Sequence, residues 1–191
     1  EGGYQATLSS EIADLHERLY STPKADITTF ETVYVPSDDI TDPGVQSILP
    51  YLDSRVVLSR WIYQEGRFPA IDTLTSFSSA MNREIVGEEH YKTYVETQKL
   101  LKEAANLERM ASLIGESELS QENQIIFRRS KLIKNYMTQQ FATVSEATAN
   151  DMTYIPRAQT IQDVKQILEG KYDKVPAEKL LFISTLDHLQ I

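Results

Sequence analysis

The sequence predicts a chain that is α/β to about residue 84 and all helix from 85 onward. Two observations carry this. β-Branched and aromatic runs, ITTFETVYV at 27–35 and RVVLS at 55–59, lie in the first part between proline- and glycine-containing loops, whereas from about residue 88 the apolar residues recur at helical spacing. The composition fits a folded protein: of 191 residues, 41% are hydrophobic and 25% charged, with seven glycines and seven prolines. It excludes collagen-like, linker-like and wholly disordered chains. With 28 acidic against 19 basic side chains, the net charge of −9 argues against a nucleic-acid or anionic-membrane surface. The absence of cysteine removes disulfides, thiolate zinc sites and cysteine nucleophiles. His16, His90 and His188 are too far apart in sequence to share a helical metal pair.

Taken in order, residues 9–20 set Ile12, Leu15 and Leu19 at helical spacing behind a capping serine, which predicts a short amphipathic helix. Residues 27–35 predict a strand ending at Pro36. The stretch 36–44 gathers turn formers and three aspartates, Asp38, Asp39 and Asp42, where backbone groups need side-chain partners. Residues 55–59 predict a second extended run. A short helical segment follows to near Gly66, and Pro69 then forces an extended stretch. In 88–114 the residues Tyr91, Tyr94, Val95, Leu101, Leu107, Met110, Leu113 and Ile114 fall mostly on one face, and Gly115 supplies a C-terminal cap. A second helix from Ser120 carries Ile125, Ile126, Leu132, Ile133, Tyr136 and Met137. The connection at 115–120 is short enough to make the two helices antiparallel neighbours. A third helix opens at Thr160, carries Ile161, Val164, Ile167 and Leu168, and stops at Gly170. The apolar run 180–183 is too short to classify.

The residues alone show no catalytic constellation. The phosphate loop G-x-x-x-x-G-K-[ST], whose backbone amides and lysine hold phosphates, is absent, as are G-x-S-x-G and H-E-x-x-H. The aspartates at 38–42 read better as a solvated turn or a partner-binding loop than as a metal site, because two are adjacent and the third precedes proline. Phe68 stands just before Pro69, where residue type favours core filling over ligand stacking. No run approaches the roughly 20 apolar residues of a membrane span. The start, Glu1-Gly2-Gly3-Tyr4, has no initiator methionine and no apolar leader, and reads as the middle of a protein.

Several segments together resemble one family. Gly3-Tyr4-Gln5-Ala6-Thr7-Leu8, Tyr34-Val35-Pro36-Ser37-Asp38-Asp39-Ile40-Thr41-Asp42-Pro43, Leu52-Asp53 followed by Val57-Leu58-Ser59-Arg60, and Phe68-Pro69-Ala70-Ile71-Asp72 come in order. Ile85-Val86-Gly87 with Glu89-His90-Tyr91, Ser117-Glu118-Leu119-Ser120 and Leu168-Glu169-Gly170-Lys171-Tyr172-Asp173 follow. The series resembles the C-terminal part of the β subunit of F-type ATP synthases, collinear from end to end. The resemblance implies the C-terminal part of a RecA-like nucleotide-binding domain at 1–84 and a helical bundle with a helix-turn-helix tip at 85–191. It implies a catalytic subunit that binds ATP or ADP with Mg²⁺ between itself and an α-type neighbour in a heterohexameric ring and drives a γ-type rotor. The phosphate loop, magnesium-binding strand and water-activating carboxylate of that family lie upstream of the part matched here, so this chain alone is expected to hydrolyse no ATP. Such a subunit sits peripherally on an energy-transducing membrane, meeting it only through the wider complex.

Carried over residue by residue, Phe68 matches the family's adenine-stacking aromatic, usually Tyr, and Phe141 a second aromatic of that pocket, with Val144 beside it. The pair is expected to form one side of the pocket. Tyr34 matches a tyrosine near the phosphate end. Asp38, Asp39, Thr41 and Asp42 match a rotor-contacting loop, and Glu118, Leu119 and Glu122 the tip that pushes the rotor. The chain also departs from the family. The tip is less acidic, Ala147 and Ala149 stand for an aromatic and a glycine, and Ser78-Ser79 replaces a Ser-Arg pair. Loss of that arginine is compatible with a β-type role, because the arginine finger comes from the α subunit, but weakens the case for a self-sufficient homohexamer. These changes keep open a divergent β-like subunit, such as those of the mycoplasma F-type-like ATPases, acting as a structural or rotor-coupling module with weakened nucleotide binding.

Overall fold

Asp42 is the residue around which the first part of the chain folds. Its carboxylate accepts from the backbone N–H groups of Gly44 (2.8 Å) and Val45 (3.4 Å) and from the Tyr4 hydroxyl (2.6 Å), so one side chain caps a helix and anchors the N-terminal segment. The computed structural model describes residues 3–139 and 154–189, which group into two units, Glu1–Arg55 and Val56–Ile191. In the first, α1 (Leu8–His16) packs on α2 (Pro43–Ile48), and Val45 is buried. Gly44 lies under the Tyr4 ring, which any Cβ there would meet at 2.7 Å. His16 closes α1 and stacks on Tyr51 (centroids 4.4 Å apart). Hydrogen bonding to the Ile12 carbonyl and to Glu31 holds its pKa above the ordinary value.

The strand predicted at 27–35 is not formed. The segment is extended, but no described residue pairs with it as a ladder, and Phe30 and Tyr34 stand 97% and 80% exposed. A β-branched run becomes a strand only where a neighbour takes its N–H and C=O groups, and the first unit offers none beside it. The unit ends in a two-residue strand, β1 (Ser54–Arg55).

In the second unit, the extended run after residue 56 pairs with 70–72 through Ser59 N–H to the Ala70 carbonyl and Asp72 N–H to the Val57 carbonyl, both 2.8 Å. Between these edges lies α3 (Arg60–Gln64). Then come β2 (Phe77–Ser78), α4 (Arg83–Val86), capped by Asn82, and α5 (Glu88–Ile114). Gly87, at φ 83°, separates α4 from α5, and the 84/85 division lies within α4, inside this second unit. α6 (Gln121–Tyr136), capped by the Ser120 hydroxyl, returns along α5, with a 3₁₀ turn at Glu116–Glu118 between them. Gly115 (φ 93°) ends α5 as expected. Across the hairpin, Glu108 pairs with Lys134, and Glu116 with Lys131 at 3.0 Å. Leu107, Leu119 and Phe127 form its apolar interior.

The buried face of α5 is narrower than its apolar residues suggest. Thr93, Leu101, Ala104 and Leu107 face inward, whereas Val95, Met110, Leu113 and Ile114 are exposed, Leu113 at 85%. On α6, Ile125 and Met137 are likewise exposed, and Phe127 and Ser130 take the inner positions.

α7 (Arg157–Leu168) starts three residues before the expected Thr160, because the Pro156 carbonyl already accepts from Gln159 and Thr160. The run 180–183 belongs to a closing strap, 177–189, with 3₁₀ turns at Ala177–Leu180 and Leu186–His188. Strap, α6 and α7 share one core of Leu132, Ile133, Tyr136, Val164, Ile167, Leu180 and Leu186. Within it, the fully buried Asp163 carboxylate accepts from the Tyr136 hydroxyl (2.8 Å), the Gln159 amide (2.9 Å) and the Leu186 N–H (3.1 Å). Burial and this carboxylate push the Tyr136 pKa up, which keeps the phenol a neutral donor.

The turn after α7 explains the Gly170 and Asp173 of the sequence motif. Arg129 grips both Asp173 oxygens (2.8 and 2.6 Å) and the Leu168 carbonyl (2.7 Å), and passes so close to Gly170, at φ 88°, that a Cβ there would collide with its guanidinium. Gly170→Ala combines a disfavoured φ with displacement of Arg129. It is expected to lower the unfolding free energy by about 1–3 kcal/mol in urea melts of the 191-residue chain.

Candidate functional site

Phe68 is held by backbone closures on both sides. Ser59 caps α3 by accepting from the Ile62 N–H (3.5 Å), and the chain leaves α3 through Gly66, whose positive φ of 72° lets it turn back. Arg67 N–H then bonds the Ile62 carbonyl (3.3 Å), while the Arg67 guanidinium pairs with Glu65. Beyond the cis Phe68–Pro69 bond, Asp72 ends the loop by accepting from Leu74 N–H (2.9 Å) and Thr75 N–H (3.3 Å). The half-buried Phe68 ring meets Tyr63 edge-to-face, with centroids 5.4 Å apart and planes at 90°. Its carbonyl accepts from the Gln139 N–H at 2.7 Å. Thus the loop after α3 and the chain leaving α6 meet at Phe68.

Phe141 and Val144 lie outside the described residues. Tyr34 is exposed on the extended segment of the first unit. In the 38–42 loop, Asp39 accepts from the Thr41 hydroxyl (2.6 Å) and backbone N–H (2.9 Å), and these bonds hold its carboxyl below the usual range. Asp42 is occupied with Tyr4 and the start of α2. Ser37 and Asp38 adopt positive φ values of 55° and 58°. At the hairpin tip, Glu118 and Glu122 are exposed, whereas Leu119 is 7% exposed and packs inside with Leu107 and Phe127.

Sequence reasoning missed two features. One is Gln139, whose part is played by a backbone amide that any residue supplies. The other is the exposed stripe of Met110, Leu113 and Ile114 in the last turns of α5. Its i, i+3, i+4 spacing was legible, but the direction it faces was not.

Among the described residues, no three histidine or acidic side chains cluster as metal ligands, and no helix is long and apolar enough to cross a membrane.

The profile of the ATP synthase alpha/beta family, nucleotide-binding domain, matches residues 1–78, and that of the C-terminal domain of V and A type ATP synthase matches residues 79–176. The chain belongs to the ATP synthase α/β family. Its helical part is of the V and A type, and the two matches meet next to β2. Among solved structures, the chain is similar to NeqB, a unique ATP synthase subunit from Nanoarcheaum equitans. The TM-score is 0.76 at 22% identity, with 91% of this chain and 41% of NeqB covered, a likeness of fold. It is also similar to the assembled ATPase EscN of the enteropathogenic E. coli type III secretion system. There the TM-score is 0.71 at 28% identity, with 88% of this chain and 38% of EscN covered. The chain thus spans about two fifths of the length of either.

Within the family's nucleotide-binding part, Asp42 is a structural cap. Asp42→Ala is expected to destabilise the first unit by about 1 kcal/mol. Asp38→Ala, which leaves the cap intact, is expected to cost less, and chemical denaturation of the two variants side by side measures the difference.

Proposed function

We propose that this chain, although its helical part matches the V and A type, is the C-terminal portion of a catalytic, β-type subunit of a rotary F-type or F-type-like ATPase, in which Phe68 forms an adenine-contacting wall. The observation that carries the reading is the placement of Phe68. In a segment matching the nucleotide-binding domain of the ATP synthase α/β family, a half-buried aromatic is fixed by its own loop and by the chain leaving α6. A ring anchored through its backbone can offer its π-face to a base without first being ordered. Phe141 and Val144, which follow Gln139 closely in sequence, would complete the wall, and Tyr34 would lie toward the phosphates.

On this reading the described residues would meet the adenine alone and not the rest of the nucleotide. The matched segment supplies an aromatic ring, Phe68, but the sequence has no phosphate loop and no described carboxylate cluster suits Mg²⁺. Phosphates and metal would be held by residues upstream of this chain, and on this reading the 191 residues alone turn over no ATP. α-Type neighbours would complete the ring. A γ-type rotor would meet the 38–42 loop and the exposed Glu118 and Glu122, and the membrane would be reached only through the wider complex.

A second reading, a β-like rotor-coupling module with weakened nucleotide binding, draws on one observation. Of the tip residues expected to meet the rotor, Leu119 is spent inside the hairpin, which leaves Glu118 and Glu122 exposed there. Phe68→Ala in the full-length subunit separates the two. The catalytic reading expects MgADP binding, measured by titration calorimetry, to weaken by about 1–3 kcal/mol, the range for loss of one base-stacking ring, and Phe68→Tyr to be nearly neutral. Equal affinity in wild type and folded Phe68→Ala would favour the module.

A further inference from the structure

Among the described residues, the strap 177–189 is joined to the chain that holds Phe68 through one hydroxyl. Thr138, two residues past the end of α6 and 3% exposed, donates from Oγ1 to the Asn135 carbonyl (2.6 Å) and accepts on the same oxygen from the Phe182 N–H (2.9 Å). The next residue, Gln139, gives its N–H to the Phe68 carbonyl. Phe182 sits at φ 58° and Ser184 at φ 67°, conformations that L side chains adopt at a cost and keep only where their surroundings impose them. Here the imposing contacts are visible. Phe182 N–H is tied to Thr138, Leu186 N–H to the buried Asp163, and the Ala177 carbonyl to the Asn135 amide (2.8 Å). The strap is therefore pinned at both ends and in the middle, and its middle pin is the residue next to the one that holds Phe68.

We infer that Thr138 is a positioning residue for the base wall, joining the C-terminal strap to the nucleotide site, so that occupancy of the site and the state of the strap are coupled. This rests on the reading of Phe68 as a base-contacting residue. The hydroxyl acts through geometry. With both its bonds made, the chain leaving α6 has one path, and that path delivers the Gln139 amide to Phe68. Without them, the Phe182 N–H loses its partner and the strained turn at 182–184 loses its middle pin.

The test uses the full-length subunit, with MgADP as the probe. Thr138→Val keeps the shape and removes the hydroxyl. It is expected to raise Kd about three- to tenfold, the effect of losing one or two modest hydrogen bonds, while Thr138→Ser restores wild-type affinity. A structural contribution alone would lower Tm in Thr138→Val without moving Kd of the folded fraction, and that result overturns the inference. Phe68→Ala run beside it separates the two claims. If Phe68→Ala weakens binding and Thr138→Val does not, the coupling is wrong and the wall stands. If neither weakens binding, both fall. A second measurement needs no variant. Amide hydrogen exchange of the wild-type subunit is expected to show Phe182 and Gln139 gaining protection together on adding MgADP, and an unchanged Phe182 amide overturns the coupling even if Thr138→Val does not fold.

Discussion

The helical part depends on one buried carboxylate. Asp163 has no exposed surface, and a polar group taken out of water is costly unless the protein returns its hydrogen bonds. It is met by donors from three separate elements: the Tyr136 hydroxyl of α6, the Gln159 amide of α7 and the Leu186 N–H of the strap. No two of these elements can shift independently without leaving part of that carboxylate unsatisfied. Tyr136 is the last residue of α6, so the same bond anchors the end of the helix from which the chain runs through Thr138 and Gln139 to Phe68.

This arrangement suits a subunit whose ligand site and lever must move together. The α5–α6 hairpin is stiffened along its length by the Leu107–Leu119–Phe127 interior and by ion pairs to Lys131 and Lys134, and at its base α6 enters the Asp163 core. The Arg129–Asp173 pair adds a second tie between α6 and the turn after α7. These ties form a continuous bonded framework from the hairpin to the loop that carries Phe68. The ring-ATPase reading needs such a framework if a change at the base is to be felt at the tip.

Much of this was legible in the sequence where local chemistry decides the outcome. The 88–114 helix, its stop at Gly115 and the restart after Ser120 follow from spacing, a positive-φ glycine and an N-cap, all of them short-range. The strand at 27–35 failed because pairing is a long-range property, and β-branched composition says nothing about whether a partner is beside it. Met110, Leu113 and Ile114 share the apolar periodicity of α5 yet face outward, because periodicity gives a stripe without saying which part of it is covered. Phe68 was found through a motif, since its residue type alone favoured a core role. Thr138 and Gln139 left no signal, because one acts through a backbone amide and the other through a hydroxyl whose partner lies 44 residues away. Asp163 did leave one: it shares the Thr160, Val164 and Ile167 arc of α7, where an acid is out of place unless something bonds it.

The central claim is that Phe68 presents its ring to a nucleotide base. A crystal structure of the full-length subunit with MgADP tests it most directly. The account predicts the adenine plane in van der Waals contact with the Phe68 ring, about 3.5–4 Å away, with the Gln139 N–H still on the Phe68 carbonyl. Adenine bound elsewhere, with the Phe68 ring enclosed by apolar side chains of its own subunit, would contradict it.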